Sequence, residues 1–303
     1  MNKKIKTLSV YRKNLAYNTL GELDANQPEY LASETLFEMP HGKVVKETTW
    51  NADGQMEQQM LYTYTPDGFL LTEEMLDTDG SVLEKRTFEP DSINQVATEF
   101  LHYADGSVDY TRYFRDEQNR IVRKEMYADG HELEWKETIH YEGENRFREL
   151  KTDQDGNPLV EITYKYNAQG KIAEMQLHNS EEDINFCKKY EYDLQGHITM
   201  ATTYDTNGEP LERLSFENDE MGRPISTVDE NKRQKNTATY EYNERGDVVF
   251  QAEHDRHGQL IKQLEKVYDE SGLLLQTQVL VRDFHTGVSR SYNLRNSYKF
   301  FDI

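Results

Sequence analysis

Glycine marks a regular interval along this 303-residue chain. Gly54, Gly80, Gly106, Gly130, Gly156, Gly208 and Gly258 form one series; Gly68, Gly170, Gly196, Gly222, Gly246 and Gly272 form a second, interleaved one. Steps within a series are 24 or 26 residues, or small multiples of that, with glycine replaced near Asn119, Asn145, Glu182 and Lys232. The unit is therefore about 26 residues long and holds two turns, and about nine or ten units run from near residue 36 to 287. A period of this length restricts the chain to an array in which each unit packs on its neighbours.

Ten of these thirteen glycines have Asp or Asn three positions earlier, among them Asn51, Asp77, Asp193, Asp205 and Asp269. That spelling suits a type I turn closed by a left-handed glycine in a bulge, with the Asx side chain capping the turn. Between turns lie eight to ten residues rich in Thr, Val, Ile, Tyr and Phe, which is strand length and strand composition. No segment between turns is long enough for a stable helix. The expected fold is all-β: about twenty antiparallel strands in a meander, forming a strongly twisted or spiralling open sheet. Residues 1–35 and 288–303 break the repeat and are expected to cap it at either end, with the array itself over 36–287.

Aromatic residues precede the second series of turns. Tyr62 and Tyr64, Tyr164 and Tyr166, Tyr190 and Tyr192, and Tyr240 and Tyr242 sit six and four residues before Gly68, Gly170, Gly196 and Gly246. In a bulged hairpin the residue four before the glycine opposes the residue two after it. This predicts the pairs Tyr64–Leu70, Tyr166–Ile172, Tyr192–Ile198, Tyr242–Val248 and Tyr268–Leu274, the last at Gly272. Each aromatic–aliphatic pair contributes about 0.2–1 kcal/mol. A second stripe, Trp50, Tyr127, His178, Tyr204 and His254, lies eight residues after these turns and by simple alternation shares the tyrosine face. It is the candidate binding stripe, whereas the tyrosines and glycines of the turns are expected to be structural.

Tyr-x-Tyr-Asp-x-x-Gly, as at Tyr190 to Gly196, resembles the YD repeats of Rhs proteins, bacterial toxin-complex shells and teneurins. A weaker resemblance is to MORN-variant antitoxin-like repeat proteins. The YD resemblance implies a long β-sheet that spirals into a hollow shell, often around a toxin. The arginine that commonly follows the family glycine stands at Arg223, and after asparagine or glutamate-asparagine at Arg120 and Arg146. The chain has no Asp-Pro dipeptide, so the Asp-Pro-x-Gly self-cleavage of Rhs proteins is not expected to carry over.

Charge bears on the partner. The net charge is −21. Residues 1–20 carry +5 and 288–303 carry +2, which leaves −28 for the body between them. Such a body repels nucleic acid and anionic membranes and attracts a basic protein. The basic, aromatic ends (Tyr11, Tyr17, Tyr30, Tyr292, Tyr298, Phe300 and Phe301) allow capping of the sheet or head-to-tail self-association. The start shows no apolar run of signal-peptide type, and no transmembrane stretch is present, so a cytoplasmic protein is expected.

The sequence offers little catalytic chemistry. Asp77-x-Asp79-Gly80, Asp153-x-Asp155-Gly156 and Asp205-x-Asn207-Gly208 look like pieces of calcium loops, but the further ligands of such a loop do not recur. His254 and His257 straddle a turn without a third ligand. Cys187, the one cysteine, lies in a predicted strand with no associated nucleophile pattern, and it excludes an internal disulfide. No nucleophile elbow, phosphate loop or His-Glu-x-x-His motif is present. No metal or cofactor is implied. The expectation is a non-enzymatic binding or scaffold protein for a basic protein such as a toxin. The alternatives are a glycan-binding surface protein and an enzyme with an unrecognised carboxylate site.

Overall fold

The computed structural model describes residues 4–15, 27–283 and 287–302. Residues 1–3 and 16–26 of the basic N-terminal segment, with Tyr17, lie outside them. Twenty-two strands follow one another, and the described residues contain no helix. They are β1 (Ile5–Asn14), β2 (Glu29–Glu38), β3 (Lys43–Trp50), β4 (Met56–Tyr64), β5 (Leu70–Leu76), β6 (Val82–Pro90), β7 (Val96–His102) and β8 (Val108–Arg115). Then come β9 (Ile121–Tyr127), β10 (Leu133–Glu142), β11 (Asn145–Asp153), β12 (Pro158–Tyr166), β13 (Ile172–Asn179), β14 (Ile184–Tyr192) and β15 (Ile198–Tyr204). The last are β16 (Pro210–Asn218), β17 (Pro224–Asn231), β18 (Lys235–Tyr242), β19 (Val248–His254), β20 (Leu260–Tyr268), β21 (Leu274–Asp283) and β22 (Val288–Phe300).

The expected open, spiralling sheet is corrected by the pairing at the chain ends. All strands belong to one 22-stranded sheet, and β1 pairs antiparallel with both β2 and β22. The ladder therefore closes on itself as a β-barrel, with no bare edge among the described residues. Closure satisfies the backbone groups that an edge strand would expose. The seam runs over nine partner pairs, including Ser9 with Ser297 and Lys13 with Asn293. Arg295 lies over the Tyr11 ring at 4.3 Å and reaches Glu29 on β2 through two hydrogen bonds of 3.0 and 2.6 Å. Arg12 stacks on Tyr292 at 3.9 Å from the ring centre. The basic, aromatic ends thus supply closing strands, in which cations of one strand lie on aromatic rings of the next.

The chain divides into two compact units, 1–109 with 242–251 and 261–303, and 110–241 with 252–260. In both, the turns have the chemistry read from the sequence. Gly54 has φ +75° and donates to the Asn51 carbonyl, while Asn51 Oδ1 accepts from the Asp53 and Gln55 amides. Where glycine is missing, Asn119 adopts φ +62° in its place. Near Asn145 the turn is a tighter one, Gly143-Glu144 between the partners Glu142 and Asn145. The expected pairs Tyr64–Leu70, Tyr166–Ile172, Tyr192–Ile198 and Tyr268–Leu274 are all Cα partners.

One residue beyond each of these pairs the register slips again. Tyr192 opposes Ile198, but Glu191 opposes Met200, so Thr199 is skipped. Leu71, Ala173 and Leu275 are skipped in the equivalent hairpins. The first series of turns does the same, skipping Glu57, Leu83 and Leu211. A one-residue slip moves everything beyond it to the other face. The expectation that the second stripe shares the tyrosine face is therefore overturned. Tyr204 opposes Cys187 and His178 opposes Glu161, each five residues before a turn tyrosine and so on the opposite side.

No large side chain among the described residues is fully buried. The most protected positions are scattered over both faces, with Ile139, Ala201 and Ala238 on the tyrosine side and Tyr110, Thr48 and Thr202 on the other. Cross-strand pairs and hydrogen bonds, rather than a thick core, hold such a layer.

Candidate functional site

On the tyrosine face the phenols are committed to the fold. Tyr64, Tyr141, Tyr166, Tyr192 and Tyr268 donate to the carbonyls of Val44, Ile121, Arg146, Ile172 and Val248, each twenty residues earlier on the adjoining strand. Asn218 replaces tyrosine in one repeat and reaches the Ile198 carbonyl through its amide at 2.8 Å. The inner tyrosine of the motif binds a carboxylate instead: Tyr62 to Glu47 at 2.9 Å and Tyr164 to Glu149 at 2.7 Å. Burial and then the carboxylate push both phenols well above the usual tyrosine range.

The residue after the left-handed position adds a clasp. Lys43 and Lys171 donate to the Gly68 and Gly196 carbonyls of the next turn in their series. Their ammonium groups lie 5.2 and 5.5 Å from the rings of Tyr64 and Tyr192, and the Arg120 guanidinium lies 4.2 Å from the Tyr141 ring. Arg120 and Arg223 also pair with the turn aspartates Asp116 and Asp219, at 2.7 and 2.6 Å. Of the family-like arginines, Arg120 and Arg223 thus clasp their own turns and Arg120 also donates to the Gly143 carbonyl of the next, whereas Arg146 pairs with Glu149 at 2.9 Å.

The opposite face is less self-contained. Tyr127 stacks on Tyr110, with centroids 4.8 Å apart and planes at 14°, and donates to Glu125 at 2.8 Å. The Arg112 guanidinium lies 5.3 and 5.5 Å from the two ring centres. The Lys189 ammonium lies 5.3 Å from the Tyr204 ring, and His178 Nδ1 bonds to Asn185 Oδ1. Trp50 ends β3 and His254 ends β19, both half-buried. These five stripe residues occupy one offset in different repeats and are not gathered into a single site. Tyr110 and Arg112, absent from the sequence-based stripe, are recognisable only through the Tyr110–Tyr127 pairing.

Two polar grooves open on this same face. One, of about 440 Å³, is framed by Glu161 and Thr163 on β12, Gln176 and His178 on β13, and Asn185 and Cys187 on β14. Burial raises the Cys187 thiol above its ordinary range, which keeps it protonated at neutral pH. The other, of about 430 Å³, is framed by Gln263 and Glu265 on β20, Gln278 and Arg282 on β21, and Ser289 and Ser291 on β22. Among the described residues no group of three or more His, Cys, Asp or Glu side chains is placed to hold a metal ion.

The two turn series differ in charge. In the second, Asp116 and Asp219 pair with Arg120 and Arg223 and Asp193 bonds to His197, while Asp67 and Asp269 accept from the Thr65 and Ser271 hydroxyls. In the first, Asp53, Asp79, Asp105 and Asp155 precede the left-handed glycine, are exposed, and make no ion pair among the described residues. Asp53, Asp79 and Asp105 belong to one unit and to alternate hairpins, which spaces them about 10 Å apart at two strand widths each.

No protein-family model matches the chain, and no curated protein does. Solved structures do. The crystal structure of TcdB2-TccC3-Cdc42 superposes with a TM-score of 0.54 at 12% identity, over 90% of this chain and 15% of that one. A porin-like protein from Bacteroides uniformis gives 0.35 at 8% identity, over 97% and 98% of the two chains. The first similarity places the fold with the β-repeats of a toxin-complex shell. The chain spans about 15% of the length of that relative.

Proposed function

We propose that the protein is a non-enzymatic β-repeat scaffold that binds a protein with a basic surface, such as a toxin. The observation that carries this reading is the row of unanswered aspartates on the first turn series. Carboxylates spaced at about two strand widths present a repeating negative field to a cationic partner. The toxin-complex-like fold is compatible with that role. Both faces carry charge at mid-strand: Glu73, Arg86 and Glu149 on the tyrosine side, and Lys85, Glu161 and Lys189 on the other. Neither resembles the uninterrupted apolar band of a lipid-spanning barrel, which favours a protein partner over a membrane.

The test is co-purification from the native cell at low and moderate salt, followed by binding of the recovered partner to the variant Asp53→Asn/Asp79→Asn/Asp105→Asn. The proposal predicts a stoichiometric basic protein whose affinity falls with salt and falls at least tenfold in the variant. An acidic or neutral partner, or a basic one indifferent to the substitutions, contradicts it.

A further inference from the structure

The two polar grooves occupy the same place in the repeat. Counted from Gly170, groove residues Glu161, Thr163, Gln176 and His178 stand at −9, −7, +6 and +8; counted from Gly272, Gln263, Glu265, Gln278 and Leu280 stand at those same offsets. Glutamine at +6 distinguishes them. The equivalent residues after Gly196, Gly222 and Gly246 are Thr202, Val228 and Ala252. Thr202 and Ala252 are buried, whereas Gln176 and Gln278 are exposed on the groove wall.

Each groove brings together an amide, a carboxylate and hydroxyl or amide groups across neighbouring strands. Gln278 is the direct partner of Glu265, and Gln176 of Thr163, with Glu161 opposite His178. Side chains on directly opposed residues stand about 5 Å apart. The Gln176 and Gln263 amide nitrogens donate to Glu174 and Glu265 at 2.9 and 2.7 Å, which fixes the planar amides and leaves their carbonyl oxygens, with the Gln278 amide, facing outward to match hydroxyls on alternate carbons of a sugar ring. Charge in the grooves is largely offset: Arg148 holds Glu161 at 2.7 Å, leaving Asp205 as the one carboxylate of the first groove without an ion pair among the described residues, and Arg282 shares the second with Glu265. That suits a neutral ligand. An extended peptide would seek a free strand edge, and the closed ladder provides none. Side chains alone are available on this face.

We infer that the grooves are twin binding sites for a neutral oligosaccharide, one in each compact unit. Gln176 and Asn185 make the polar contacts in one, and Gln263 and Gln278 in the other. The inference is independent of the basic-protein reading, which rests on the turn aspartates.

Calorimetric titration of the full chain with maltohexaose, cellohexaose, chitohexaose and mannohexaose tests it. At least one of these neutral probes is expected to bind with two equivalents per chain. Gln176→Ala/Asn185→Ala and Gln263→Ala/Gln278→Ala are each expected to remove one equivalent, and the four substitutions together to weaken binding more than tenfold. Circular dichroism and a thermal melt check that the variants keep the wild-type fold, since Gln176, Asn185 and Gln263 also bond to Glu174, His178 and Glu265. Binding of none of the four sugars overturns the inference, as does binding that survives all four substitutions. A single equivalent removed by one pair alone overturns its twin-site form.

Discussion

Tyr192 and Tyr204 lie twelve residues apart in one repeat and end on opposite sides of the sheet. Tyr192 is locked, with its hydroxyl on the Ile172 carbonyl at 2.7 Å and the Lys171 ammonium 5.5 Å from its ring. Tyr204 makes no hydrogen bond through its hydroxyl among the described residues, and the Lys189 ammonium lies 5.3 Å from its ring. The same contrast runs along the chain. One face spends its aromatic residues on joining strand to strand, while the other keeps polar side chains around open grooves. Residue type does not separate the two roles; the second bulge does, because it sets which side each residue reaches.

Substitutions sharpen this comparison. Tyr192→Ala is expected to cost about 2–3 kcal/mol, below the range for fully buried aromatics because the ring is half-buried, and Tyr204→Ala less than about 1. Urea melts of the two variants check the order. Equal losses would break the division between faces.

A smaller contrast is expected at the turns. Gly222→Ala and Gly208→Ala both force a side chain into the left-handed region, at φ +79° and +82°, for about 1 kcal/mol each. A Cβ at Gly222 also lands against the His197 ring, whereas one at Gly208 meets nothing within 4 Å. Gly222→Ala is expected to cost about 1 kcal/mol more, and His197→Ala to remove the difference in a double-mutant cycle. Removing only the hydroxyl is a finer probe: Tyr192→Phe is expected to lose about 1 kcal/mol and Tyr204→Phe close to none.

The smallest effect is acidic. Hydrogen bonding to Arg120 holds the Asp116 carboxyl below the ordinary range, and bonds from the Arg223 amide and side chain do the same for Asp219. A depressed carboxylate contributes stability above its unfolded value, near pH 4, and loses it as pH falls through the lower folded value. Asp116→Asn/Asp219→Asn is therefore expected to flatten the loss of stability between pH 5 and pH 2 in thermal melts. An unchanged slope would detach these turns from the acid response.

The glycine interval, the Asx caps and the Tyr–aliphatic register were legible in the sequence because each rests on a residue with a local conformational demand. The second bulge was not. It falls on Leu71, Ala173, Thr199 and Leu275, ordinary strand residues that carry no sign of being skipped. Alternation carried past them gives the wrong face for Tyr127, His178 and Tyr204. Closure was hidden for a related reason. β1 and β22 lack the turn spelling of the repeat, and their pairing joins residues nearly three hundred positions apart. The grooves follow from the bulge, since their β13, β14 and β21 walls lie on the face reached only after the slip.

Closure decides how this protein can bind, because a sheet without edges leaves a partner only faces and turns. Ser9 and Ser297 are Cα partners across the seam, and opposed antiparallel residues stand within disulfide reach. In a Cys187→Ser background, Ser9→Cys/Ser297→Cys should oxidise to an intramolecular disulfide in the monomer while the circular dichroism spectrum stays unchanged. Thiols that stay reduced, or disulfides that form only between molecules, would contradict the closed sheet.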